Sequence, residues 1–156
     1  MVLELPVTTS SEVIELSVDR LSEIARLGTQ FQAEGILPGE FIAEAFTKTW
    51  ANLIWQDIGA IFALEKNGEI VGGLGAVTFP DPNDGAVVAN EMFWFVAKSD
   101  RGHGMKLLTA FENWAKQRGA KRAMMVHLEN LFPDALRRIY TARGYRPVET
   151  HYLKEI

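Results

Sequence analysis

The chain has 156 residues, no cysteine and a formal net charge of -4. An apolar fraction of 47% with 23% charged residues is ordinary for a globular chain built on one core. The absence of cysteine excludes disulfides, thiolate metal sites and a cysteine nucleophile, and the acidic balance argues against a nucleic-acid surface, which needs clustered Lys and Arg. A mild negative field suits a cationic, amine-bearing partner. Residues 1–10 show no basic stretch leading into an apolar run, and no apolar stretch approaches ~20 residues. The expectation is one cytoplasmic domain over residues 1–156, with no membrane span.

In chain order, Leu21, Ile24, Ala25, Gly28 and Phe31 recur at helical spacing, with Gly35 as terminator. A second helix is predicted from near Pro38, with Phe41, Ile42, Ala45, Phe46, Trp50, Leu53 and Ile54 along one face. The period then changes. Ala60–Leu64 and Ile70–Phe79 read as two strands joined at Asn67-Gly68, a strong hairpin signal. After a cluster of turn formers at Pro80–Gly85, Glu91–Lys98 reads as an aromatic-rich strand. Leu107, Leu108, Phe111, Trp114 and Ala115 mark the clearest helix, stopped by Gly119. Arg122–His127 reads as a buried strand, Phe132–Arg143 as a helix stopped by Gly144, and Tyr145–Val148 with Thr150–Lys154 as two short final strands. The predicted order, α-α-β-β-β-α-β-α-β-β, is a mixed α/β sheet covered by helices on both faces.

Two segments carry chemistry. Ser99-Asp100-Arg101-Gly102-His103-Gly104-Met105-Lys106 joins the aromatic strand to the clearest helix. A helix N-terminus offers backbone N–H donors and about half a positive charge, glycines admit a bulky anion, and Arg101 and Lys106 add cations. A phosphate or pyrophosphate is the natural guest. The same pattern also serves as a plain tight connection, and it matches neither a dinucleotide fingerprint nor a Walker loop. The second segment, Ile139-Tyr140-Thr141-Ala142-Arg143-Gly144-Tyr145, puts a tyrosine on the last turn of a helix. Tyr140 continues the apolar face of Phe132, Leu136 and Ile139, as a core tyrosine would. A phenol of pKa about 10 could equally protonate a departing thiolate, whose acid has a pKa of about 8.5.

Together these segments resemble the GNAT superfamily of acetyl-coenzyme-A-dependent N-acetyltransferases. The family's pyrophosphate motif, Arg/Gln-x-x-Gly-x-Gly/Ala, falls on Arg101 to Lys106, with Gly104 as its first glycine and Lys106 in place of the last Gly or Ala. Its Tyr-x-x-x-Gly-Phe/Tyr signature falls on Tyr140, Gly144 and Tyr145. The wording of Glu91-Met92-Phe93-Trp94 and of Leu107–Glu112 is similar to phage- or prophage-associated members.

The resemblance implies a three-layer α-β-α domain whose mixed, mostly antiparallel sheet splays between its fourth and fifth strands. Phe95, Val96 and Ala97 would offer backbone hydrogen bonds to the pantetheine arm of acetyl-coenzyme A. Arg101, Gly102, His103, Gly104, Met105 and Lys106 would hold its pyrophosphate, and Tyr140 would protonate the leaving thiolate. The helical Asn-x-x-Ala run of many members has no counterpart, because Pro133 stands at the asparagine's place; Asn130 is either a substitute contact or a helix cap. Some members carry a glutamate base at the position of Glu91, which otherwise reads as a strand-end charge in solvent. His127 and Glu129 are rival bases. The reaction implied is direct attack of a primary amine on the thioester. The alternative is an acyl-coenzyme-A sensor of the same fold that turns nothing over. Acceptors left open run from small polyamines and antibiotics to protein amines, and a homodimer is compatible with the family.

Overall fold

In the computed structural model, which describes residues 10–34, 39–128 and 132–156, one five-stranded sheet runs in simple chain order. Its strands are β1 (Glu12–Glu15), β2 (Gly59–Lys66), β3 (Glu69–Pro80), β4 (Val87–Val96) and β5 (Arg122–Met124). The helices are α1 (Leu21–Gln32), α2 (Ala43–Trp55), α3 (Met105–Gln117) and α4 (Pro133–Ala142), and a 3₁₀ segment, Lys98–His103, leads into α3. The chain groups into two compact units, one ending at Val126 and the other His127–Ile156.

In the first unit β1 to β4 pair antiparallel in succession, while β4 and β5 pair in parallel. The β2–β3 hairpin turns at Asn67-Gly68, both residues at positive φ (52° and 77°), as a two-residue turn of matching twist requires. Leu21, Ile24, Ala25 and Gly28 of α1 are buried, the face expected from their spacing. Along β3 the side chains alternate between two helical layers. A Cβ at Gly73 would meet Ile24 of α1, and one at Gly75 would meet Trp50 of α2. On the opposite face, Phe62 of β2 meets Trp114 of α3 edge-on at 6.0 Å. Helices therefore cover both faces of a mixed, mostly antiparallel sheet.

The close approach at Gly75 is the tightest in the sheet. A Cβ there would collide with Phe93 Cε1 and lie 2.6 Å from two atoms of the Trp50 ring. Because the two rings already pack edge-on at 5.3 Å, Gly75→Ala is expected to cost about 1–3 kcal/mol. A thermal melt checks this; an unchanged melting temperature would mean that the rings can part.

Several expectations need correction. β1 was not anticipated: four residues with half-buried centres give too short a pattern to read. α2 begins at Ala43, after Phe41 and Ile42; Gly35 and Pro38 lie outside the described residues. β4 starts at Val87 and ends at Val96, so the expected Glu91–Lys98 strand is shifted towards the N-terminus, and Lys98 belongs to the 3₁₀ segment. β5 has three residues, because the backbone beyond Met124 leaves β4.

In the second unit, α4 ends at a left-handed Gly144 (φ 87°). The two expected final strands do not form: residues 145–156 carry no ladder, and Val148, Tyr152 and Leu153 stand exposed. An alternating pattern records fitness for a sheet, but a strand needs an edge to pair with.

Candidate active site

The site begins with a break in pairing. Gly75 of β3 pairs with Phe93 of β4, and the next residue, Ala76, pairs with Glu91, so Met92 is bulged out. A bulge re-aims its neighbours and is a recurrent device beside functional sites. On the other edge of β4, the parallel ladder to β5 covers only Val88, Ala89 and Asn90. Glu91 is thus the first residue past the last β4–β5 pair.

Its carboxylate enters the gap that follows. Glu91 Oε2 accepts a hydrogen bond from the Val126 backbone N–H at 2.8 Å, standing where a ladder bond would otherwise be. The residue is 4% exposed. Burial pushes its carboxyl up to about 7, against the opposing pull of that N–H. Of the two readings of Glu91, the strand-end charge in solvent does not hold: the side chain is a buried carboxyl whose desolvation opposes ionisation.

Beyond Glu91 the backbone polarity of β4 can be read from one bond. The Ala97 N–H donates to Val71 O at 2.8 Å, so Ala97, and by alternation Phe95, face β3. The N–H and C=O groups of Trp94 and Val96 point the other way, towards the splay. Of Phe95, Val96 and Ala97, expected to offer backbone groups there, Val96 is the one whose groups point away from β3. Trp94 shares that direction, a parity hidden until the β3–β4 register was known. The ring faces follow the same parity: Phe93 stacks on Phe95 at 4.9 Å, and Phe95 on Phe31 of α1 at 5.4 Å.

The segment after β4 is more ordered than a loop. Asp100 is buried and accepts from Lys66 Nζ at 3.0 Å and from the Ser99 hydroxyl at 2.7 Å; these bonds hold its carboxyl below the usual range. That anchor sets the 3₁₀ segment and the direction in which α3 starts. Gly104 is the residue before α3, and no side chain caps the helix. A Cβ at Gly104 would lie 3.4 Å from both Arg101 O and Val96 Cγ2, and one at Gly102 would meet nothing. The N-terminus of α3 is thus open in front and closely backed behind, which fits an anion seated on its first N–H groups.

The cations of this turn are not idle. Arg101 Nε donates to Val96 O at 3.3 Å, and Nη2 reaches the Glu34 carboxylate at 3.0 Å. Lys106 Nζ donates to Ser11 O at 2.7 Å and to Ser11 Oγ at 3.3 Å. His103 and Lys98 are exposed, and Met105 is half-buried.

In the second unit, Tyr140 is the buried residue of α4, at 9% exposure. Its ring packs against Tyr145 at 5.7 Å, and its carbonyl accepts the Tyr145 N–H at 2.9 Å. The helix stop at Gly144 folds Tyr145 back onto it. His127 Nε2 is buried with no hydrogen-bond partner. Glu129 and Asn130 lie outside the described residues.

Residues 31–145 match the family model described as Acetyltransferase (GNAT) family. Comparison with curated proteins finds no match. Among solved structures, the chain is similar to one described as a predicted acetyltransferase with acetyl-CoA from Clostridium acetobutylicum, with 17% identity, a TM-score of 0.74, and 94% of this chain and 96% of that one covered. It is also similar to an aminoglycoside N-acetyltransferase, AAC(6')-Iy, in complex with CoA, with 17% identity, a TM-score of 0.72, and 97% and 98% covered. A transcriptional regulator from Bacillus halodurans C-125 has 17% identity and a TM-score of 0.74, with 94% and 100% covered.

Proposed function

The chain belongs to the GNAT acetyltransferase family, and on that premise we propose that it moves an acetyl group from acetyl-coenzyme A onto a primary amine by direct attack. That it is an acyltransferase with acetyl-coenzyme A as cosubstrate follows from the family; the amine acceptor and the residue roles are the proposal.

One observation carries it: a carboxyl, Glu91, buried and bonded to the Val126 N–H beside the point where β4 and β5 separate, with burial pushing its pKa up to about 7. Amines of pKa near 10 must shed a proton before or during attack on the thioester. In the proposed reaction the amine nitrogen bonds to the thioester carbonyl carbon, and its proton passes to the Glu91 carboxylate. The C–S bond then breaks, and the departing thiolate takes the phenol proton of Tyr140. No covalent enzyme intermediate is involved.

The cosubstrate's binding groups follow the same strand. The Trp94 and Val96 backbone groups would bond the pantetheine arm, and the turn from Arg101 to Lys106, with the first N–H groups of α3, would seat the pyrophosphate. From Glu91 to Val96 is roughly 15 Å of strand, a span suited to an extended arm with phosphates at one end and thioester at the other. No helix among the described residues is long and apolar enough to cross a membrane.

The test is thiol release from acetyl-coenzyme A over a panel of amines. Release with at least one amine is expected; binding without turnover across the panel would move the chain to the sensor reading. Gly104→Asp isolates the phosphate seat. It sets a carboxylate at the N-terminus of α3, where the pyrophosphate would sit, so coenzyme A affinity is expected to fall at least tenfold in a folded variant. Unchanged affinity by calorimetry would refute the seat.

A further inference from the structure

The Arg101 side chain is a tie between two elements. Its Nε donates to the Val96 carbonyl at the end of β4, and its Nη2 donates to both Glu34 oxygens, at 3.0 and 3.2 Å, just past the end of α1. These two chain ends also wall a cavity of about 280 Å³, with Leu27, Phe31 and Glu34 on one side and Phe95 and Lys98 on the other. The ion pair itself is lightly held: each side chain keeps 30% of its surface in solvent, so the pair contributes little net stability and can exchange.

We propose that Glu34 is an exchangeable counter-ion of Arg101, displaced by the phosphate oxygens of the cosubstrate, so that Glu34 sets the affinity for phosphate-bearing cosubstrate. The proposal rests on reading the turn from Arg101 to Lys106 as the phosphate seat. A guanidinium presents its N–H donors in one plane as paired edges, and a phosphate binds best along such an edge. Glu34 occupies the Nη2 donor with both of its oxygens. A phosphate brought to the same edge meets a carboxylate a few ångströms away, and like charges at that range repel. One anion must yield. Lys106 offers no substitute, since its ammonium is turned onto the buried Ser11. Lys98 lines the cavity across from Glu34, and among the described residues no acid pairs with it, so it would add to the pull on the incoming phosphates. Once released, Glu34 no longer ties the end of α1 to β4.

Glu34→Gln keeps the side-chain size and removes the charge. Calorimetry with coenzyme A should show about two- to fivefold tighter binding in this variant at low ionic strength, as expected for loss of one exposed competing charge. The gain should shrink as salt is raised. Pantetheine, which has no phosphates, should bind both forms alike. In an Arg101→Gln background, Glu34→Gln should bring no gain. Equal or weaker coenzyme A binding by a folded Glu34→Gln chain overturns the exchange; a purely structural Glu34 predicts that result together with a lower melting temperature. Should Glu34→Gln fold poorly, Glu34→Ala carries the same expectation. Failure of the parent chain to bind coenzyme A at all would sink the phosphate seat itself, whereas normal binding without the gain sinks the exchange alone.

Discussion

Turnover of Tyr140→Phe is expected to fall ~10²–10⁴-fold, the usual cost of losing a positioned acid. The substitution removes one oxygen and keeps the ring that packs on Tyr145, so the melting temperature should change little. The Michaelis constant for acetyl-coenzyme A should move far less than turnover, because proton donation to the thiolate matters in the transition state. A tyrosine that only fills the core predicts turnover kept at the parent rate. Parent-like turnover with the chemical step shown to limit the rate would assign the acid elsewhere.

Glu91→Gln is expected to lower turnover by ~10²-fold or more while coenzyme A affinity stays put. The pH profile is the sharper readout. A carboxyl held at about 7 is a base only above that value, so the parent rate should rise with pH through about 7. That inflection should be missing in the variant. Stability should show the mirror image. The folded-state value lies above the ordinary 4.5 of the unfolded chain, so the native state holds the extra proton between the two. Stability from this group is full below pH 4.5 and is lost as pH rises to about 7, by on the order of 3 kcal/mol. A neutral glutamine removes the slope, and the variant should melt higher than the parent in alkaline buffer. If His127→Asn gives the large rate loss instead, with Glu91→Gln near parent activity, the base belongs to the segment after β5.

Local signals were enough for the elements with strong punctuation or periodicity. The Asn67-Gly68 hairpin, the buried face of α1, the α3 helix from Leu107 to Ala115 and the Gly144 stop are each decided within a few residues, by turn chemistry or by apolar spacing. The two motifs, Arg101 to Lys106 and Tyr140 to Tyr145, are local in the same sense, and with them the family was legible.

What the chain could not show in one dimension depends on partners far along it. The character of Glu91 changes with its environment: the residue that reads as a strand-end charge is buried because Met92 bulges and Val126 donates across the gap. That the backbone groups of Trp94 and Val96 point away from β3, while those of Phe95 and Ala97 face it, is a matter of register, visible only once Ala97 is bonded to Val71. The hold of Glu34 on Arg101 joins residues from two separate elements. The final strands fail for the same reason, since alternation prepares a segment for a ladder and only an available edge completes it. Turn residues and periodicity act over one or two turns of chain and so determined most of the helices and the hairpin, while the two short motifs carried the resemblance to the family. Burial, register and charge pairing depend on distant segments brought together, and the tertiary structure alone decided which carboxyl is buried and which backbone groups of β4 point away from β3.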